Sequence, residues 1–200
     1  MPLYYRGSFA DTKLKRFFVM DKAGKTQELI LLALIISHLG WVMEMLLFKL
    51  CFGIIADRGF LTLPFCPIYG ATVLAVYFLI GTPQRGGVLL RHLSSGGPRA
   101  IVYFTLASLI PTVSELVFGE IMEKISGRVL WDYTSMQYNL GKYISLESSL
   151  TWGALITGVM LLFEPMLDFF GRLNIRIRKR IVIVLIVAIA TDFLVNIFLI

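Results

Sequence analysis

The sequence predicts an all-α protein: a polytopic transmembrane helical bundle of about five spanning helices, preceded by a basic segment at the membrane interface. Three observations predict it. The 200-residue chain is 57% hydrophobic and only 16% charged, where a soluble domain carries about 25% charged residues. Mean hydropathy is +0.78. Apolar runs recur at about 28–50, 64–82, 100–119, 149–170 and 181–200, each near the ~20 helical residues that cross a hydrocarbon core. Runs of this length exceed barrel strands, and helices satisfy every backbone polar group within the segment.

Residues 1–27 form the first segment, and residues 28–200 a single transmembrane domain. The segment holds Arg6, Lys13, Lys15, Arg16, Lys22 and Lys25 and lacks the apolar core of a cleavable signal. The first apolar run therefore reads as an uncleaved signal-anchor. Leu14, Phe17 and Phe18 share one helical face among the lysines, which fits a short helix lying on the membrane surface. A disordered basic tail is the alternative.

The 64–82 run opens on Pro64 and Pro67, residues suited to an extended approach or a first helical turn. The 100–119 run contains Pro111, which would free a backbone carbonyl and could kink the helix. The 149–170 run is interrupted near its end by Glu164, Pro165 and Asp168, and 181–200 follows the basic stretch Arg176 to Arg180.

Basic residues set the expected orientation. The N-terminal segment carries six Lys and Arg, the 83–99 loop three and the 171–180 loop five; the alternate loops carry two and three. Cytoplasmic loops hold the excess of positive charge, so the N-terminus is expected inside and the C-terminus outside. The net charge of +6 marks that side rather than a nucleic-acid partner, for no basic run with interleaved aromatics occurs.

Glu44 and Glu115 interrupt apolar runs. A charged side chain at the centre of a spanning helix costs about 2.5–3.5 kcal/mol on insertion scales, so such residues are rare without a use. Both fall in the outer halves of outward-running helices, as does Asp192. Ser37, Gly40, Trp41 and Glu44 form one stripe at helical spacing; Ser108, Pro111, Thr112, Glu115 and Gly119 form another; Ala188, Asp192 and Asn196 align in the fifth run. Small and polar stripes face other helices or a wet cavity rather than lipid. The three acids are thus expected to point inward, either as a site or as packing devices.

The outside loops supply further candidates. Arg58 is a counter-ion for Glu44, Glu115 or an anionic ligand, or else an ordinary interfacial arginine. Cys66 is a reactive thiol or a small buried hydrophobe, and a Cys51–Cys66 disulfide is open on this face. The 120–148 segment, with Trp131, Tyr133, Tyr138 and Tyr143, suits an interfacial aromatic belt. Equally, it suits a re-entrant or surface helix that caps the cavity with Asp132 and Asn139 pointing in. Candidate substrate-binding or coupling residues are Glu44, Arg58, Cys66, Tyr69, Glu115, Asp132 and Asn139.

Gly40-Trp41-x-x-Glu44, Arg58-Gly-Phe-Leu, Cys66-Pro-Ile-Tyr-Gly70, Glu115, Trp131-Asp-Tyr, Tyr138-Asn139-x-Gly141, Ser149 and Trp152-Gly153 together resemble the ABC-transporter permease family of CmpB type. The resemblance covers about residues 35–160 in matching order. It departs at Leu63, where the family pattern has Gly before the Pro. It implies a small bacterial inner-membrane protein serving as a transporter's membrane component.

No cofactor or metal is expected: His38 and His92 lack metal-ligand spacing. Gly24-Lys25-Thr26 lacks the glycine a phosphate-binding loop needs at position 19, which is Val19. Any ATPase would be a separate subunit. The leading reading is a transport component that takes a polar or charged small molecule, or an ion, in an extracytoplasmic cavity. The alternatives are an intramembrane enzyme acting on a lipid-linked substrate, with Glu44 and Glu115 as acid and base, and a lipid-handling or accessory protein.

Overall fold

The computed structural model describes residues 8–55, 59–90 and 96–198, with side chains from Ala23 onward except those of Cys51 and Phe52. Among the described residues the chain is all-helical, in the order α1 (Ser8–Phe52), α2 (Pro67–Leu79), α3 (Gly97–Ser126), α4 (Leu146–Gly171) and α5 (Ile175–Phe198). Four stretches are long and apolar enough to cross a membrane: Ala23–Leu50, Gly97–Ser126, Leu146–Gly171 and Ile175–Phe198. They account for four of the five expected spans, and the backbone of the basic segment from Ser8 onward is continuous with the first.

The second expected span is resolved differently. α2 has 13 residues, about 20 Å of helix at 1.5 Å per residue. It packs against α1, α3 and α4, with Gly70, Thr72, Val73 and Val76 buried and Phe78 and Leu79 exposed at its end. Its flanks are irregular but satisfied. The Cys66 amide donates to the Ser37 carbonyl at 3.0 Å, and the Gly81 amide to the Val76 and Tyr77 carbonyls. Gly81 sits at φ +72° just past the helix end, the left-handed position that glycine occupies at no steric cost. Tyr103 donates to the Gly81 carbonyl at 3.0 Å. Non-helical backbone at membrane depth is tolerated where protein covers it, and here protein does.

Small residues set the helix crossings. A side chain at Gly70 would strike the Ala33 carbonyl and Ser37, one at Gly40 the Tyr69 ring, and one at Gly153 Ser108. The α1–α2 and α3–α4 pairs are therefore close because the stripes at their contact are small. The interior between them is filled by Leu32, Val73, Val76, Ala107, Met160 and Phe163, all 1% exposed or less. α5 lies at the periphery, with only Arg178 and Val182 buried.

Helix ends extend beyond the apolar runs. α3 continues to Ser126 through Glu120, Glu123 and Lys124, and α4 passes through Pro165 without ending. Glu164 is paired with Arg85 at 3.2 Å. α5 begins at Ile175 and takes in Arg176 to Arg180, expected as a loop. Arg178, 3% exposed, donates to the carbonyls of Phe170 at 3.0 Å, Gly171 at 3.3 Å and Gly24 at 3.2 Å, and pairs with Glu28 at 3.1 Å. That one side chain ties α1, α4 and α5 together at the end of the bundle remote from Glu44.

Candidate functional site

The other end of the bundle is built around Glu115. Its position on α3 faces inward, as the stripe of Ser108, Pro111, Thr112 and Gly119 requires, and it is 7% exposed. Buried carboxyl groups need hydrogen-bond partners, and this one has three from two other elements. Tyr133 Oη and Trp152 Nε1 each donate to Oε1 at 2.8 Å, and Ser148 Oγ donates to Oε2 at 3.3 Å. Ser148 Oγ also lies 3.1 Å from Tyr133 Oη.

Ser148 and Trp152 are four apart on α4 and so share its face. The helix is started at that level by Ser145, whose side chain accepts the Ser148 amide. Tyr133 arrives from the 127–145 connection, which folds back along α3. Lys142 reaches Glu123 at 2.6 Å, and the Tyr143 hydroxyl donates to the same carboxyl. Gly119 makes room for the Tyr143 ring. Tyr133 thus meets Glu115, about 16 Å back from the helix end at 1.5 Å per residue. Burial and the Glu115 carboxyl push the Tyr133 phenol above its ordinary range, so it stays a donor.

Glu44 belongs to the same surface. The Tyr69 hydroxyl donates to Glu44 Oε1, and the Tyr69 ring packs against the Trp152 ring at 5.3 Å and 56°. An aromatic bridge therefore links the carboxyl on α1 to the carboxyl on α3. Both acids open on a cavity of about 700 Å³, between α1, the start of α2, the C-terminal half of α3, the 130–136 segment and the start of α4. Its size falls within the ~300–1,000 Å³ of small-molecule sites.

The structure brings Glu44, Cys66, Tyr69, Glu115 and Asp132 to the wall of this cavity. Asp132 accepts the Thr134 amide at 2.9 Å, and the Thr134 amide and hydroxyl hold its carboxyl below the usual range. Asn139 is exposed and does not reach the wall. Its side chain donates to the Thr134 and Met136 carbonyls, fixing the fold of the connection. That connection is irregular rather than helical. Arg58, His92 and the Cys51 side chain lie outside the described residues, and with them the expected counter-ion and the Cys51–Cys66 pairing.

Asp192 stands apart from the pair. It accepts the Leu63 amide at 3.0 Å and the Asn196 side chain at 3.1 Å, so it anchors the irregular 61–66 segment to α5. His38 fixes the same segment: its Nδ1 lies 2.8 Å from the Pro64 carbonyl and its ring stands beside Phe65 at 5.6 Å. Four lining residues are not among the site candidates of the sequence: Tyr133 and Trp152, which enter there only as belt or family-motif residues, and Glu147 and Ser148. The i, i+4 spacing of Ser148 and Trp152 was the available signal.

Among the described residues no three His, Cys, Asp or Glu side chains converge closely enough to hold a metal ion. Fold and site together define a multi-pass membrane protein with a carboxyl-lined cavity at one end of its bundle. The family described as "Putative ABC-transporter type IV" matches residues 31–197, and the chain belongs to that family. No curated protein matches the chain, and no solved structure does.

Proposed function

We propose that this chain is the transmembrane component of a transport system and that its substrate is held in the cavity between Glu44 and Glu115. The observation that carries the reading is Glu115: an acid 7% exposed, given three hydrogen bonds by two other elements, at the wall of a cavity sized for a small molecule. An intramembrane acid is costly and commonly marks a substrate or ion path. Membership of a family described as ABC-transporter supports transport and a separate ATPase subunit as partner.

In this reading Glu44 and Glu115 bind or couple, Tyr69, Tyr133 and Trp152 set their geometry, Cys66 and Asp132 line the path, and Asn139 shapes the connection. Arg58 remains the proposed counter-ion. The excess of Lys and Arg in the N-terminal segment and the 83–99 and 171–180 loops supports an N-terminus inside and a cavity opening outside. A bacterial inner membrane is the location that the family resemblance implies, and we adopt it.

Glu44→Gln and Glu115→Gln test the reading in cells that depend on the protein. Folded variants with lost flux support transport, and build-up of an unprocessed lipid would support an enzyme instead. Full complementation by both would overturn the site. For orientation, a thiol reagent confined to the outside should label a cysteine placed in 133–142 and spare one placed in 86–90; the reverse would overturn it.

A further inference from the structure

We infer that the occupant of this cavity is an amphipathic cation, an ammonium headgroup on a hydrocarbon chain; the inference rests on the transport reading of the same site. Four observations lead to it. The first is charge. Glu44, Glu115, Asp132 and Glu147 line the cavity, among its described lining residues none is Lys, Arg or His, and the proposed counter-ion Arg58 would offset one acid of the four. Carboxyl groups in a low-dielectric wall favour a positive partner.

The second is the spread of those groups. No three of them converge on a point, as a bare divalent ion would require. They are distributed over walls that also carry Tyr69, Trp131, Tyr133 and Trp152. Carboxyl groups interleaved with aromatic rings are the surroundings that organic ammonium groups take, through charge and cation–π attraction together.

Third, the polar end is incompletely used. Glu147 Oε2 is buried with no hydrogen-bond partner among the described residues, although Oε1 accepts the Tyr138 amide at 3.3 Å. Trp131 Nε1 is likewise buried and unpartnered. Both side chains line the cavity. Buried groups of this kind are rare without an occupant or a water to complete them.

The fourth is the remaining wall, which is hydrocarbon. Leu47 on α1 and Phe118, Ile121 and Ile125 on α3 line the cavity, and each is more than a third exposed. Phe60, Leu61 and, from α5, Phe193 extend this apolar wall. An exposed apolar wall on a membrane helix meets lipid, and Asp132, Ser135 and Thr151, all exposed, add polar groups to the same lining. A headgroup among the aromatics and carboxyls would leave its chain along this apolar wall.

The test uses the full-length protein in dodecyl maltoside. The probe is an alkyltrimethylammonium brominated on its chain, and saturable quenching of tryptophan fluorescence is read. Wild type should quench saturably. Glu115→Gln and Glu44→Gln should each weaken the probe ~10-fold or more. Tetramethylammonium alone should compete on the order of 100-fold more weakly, the fold-change that burial of about four methylenes gives. Ile121→Asn should weaken the long probe and leave tetramethylammonium unchanged.

Tetramethylammonium binding as tightly as the long probe, and lost in Glu115→Gln, would overturn the amphiphile while leaving transport of a small cation standing. Equal quenching by the brominated alkyl carboxylate would overturn the charge assignment. Absence of saturable quenching by any probe would overturn the inference, and the complementation of the glutamate variants would then decide the transport reading by itself.

Discussion

The two ends of the bundle use buried charge in opposite ways. At one end Arg178 is neutralised by Glu28 and sheathed by the carbonyls of Gly24, Phe170 and Gly171. The partners come from two helices, α1 and α4, and the side chain, carried by a third, closes the junction. At the other end Glu115 is surrounded by neutral donors only, from Tyr133, Ser148 and Trp152. It borders open space. A charge paired with its opposite inside packed helices holds structure; an acid held by hydroxyl and indole groups at a cavity wall is available to something else.

That contrast can be broken at either end. Arg178→Ala leaves Glu28 and three carbonyls without their donor, and removing one partner of a buried pair costs about 3–5 kcal/mol. The expected outcome is a large fall in melting temperature in detergent, or no folded protein. A fall no greater than for an exposed arginine such as Arg172 would remove the structural role assigned to this end. Gly70→Val comes next. Its new side chain would overlap the Ala33 carbonyl, and overpacking costs about 1–3 kcal/mol; cysteine cross-linking between α1 and α2 should report their separation.

Tyr133→Phe removes one donor from Glu115 while Trp152 and Ser148 remain. Loss of one hydrogen bond costs about 0.5–1.5 kcal/mol, so the melting temperature should drop slightly. Protease cleavage in the 127–145 connection should rise more than cleavage elsewhere. The smallest effect concerns Asp132. Its folded carboxyl titrates below the ordinary value, so its stabilising bond to Thr134 is present above the ordinary aspartate range and is lost as pH falls through the lowered value. Amide exchange at Thr134 should be slower in wild type than in Asp132→Asn near neutral pH, and the two should converge in acid.

What the sequence made legible follows the same division. Four spans were readable because lipid-facing helices must be apolar for their full length. The 64–82 run reads as a full span because an apolar run packed on protein looks the same as one facing lipid, and only the neighbours reveal that α2 is 13 residues long. Glu44 and Glu115 stood out because a lone acid in such a run is costly. Ser148 and Glu147 did not, since serine and glutamate at a helix start are ordinary capping residues. Trp152 was indistinguishable from an interfacial belt residue. Arg178 was counted with its basic neighbours, because a charge census cannot separate a buried arginine from exposed ones. Asn139 was expected at the cavity, and it instead folds the connection that delivers Tyr133 and Asp132.

The most direct test of the cavity as the working end is Glu115→Gln, measured for melting temperature and for rescue of cells lacking the protein. The amide oxygen can still accept from Tyr133 and Trp152, and its NH₂ can donate to Ser148, so the fold should be retained. The account predicts a melting temperature close to wild type together with no rescue. Full rescue by a folded Glu115→Gln protein would contradict it.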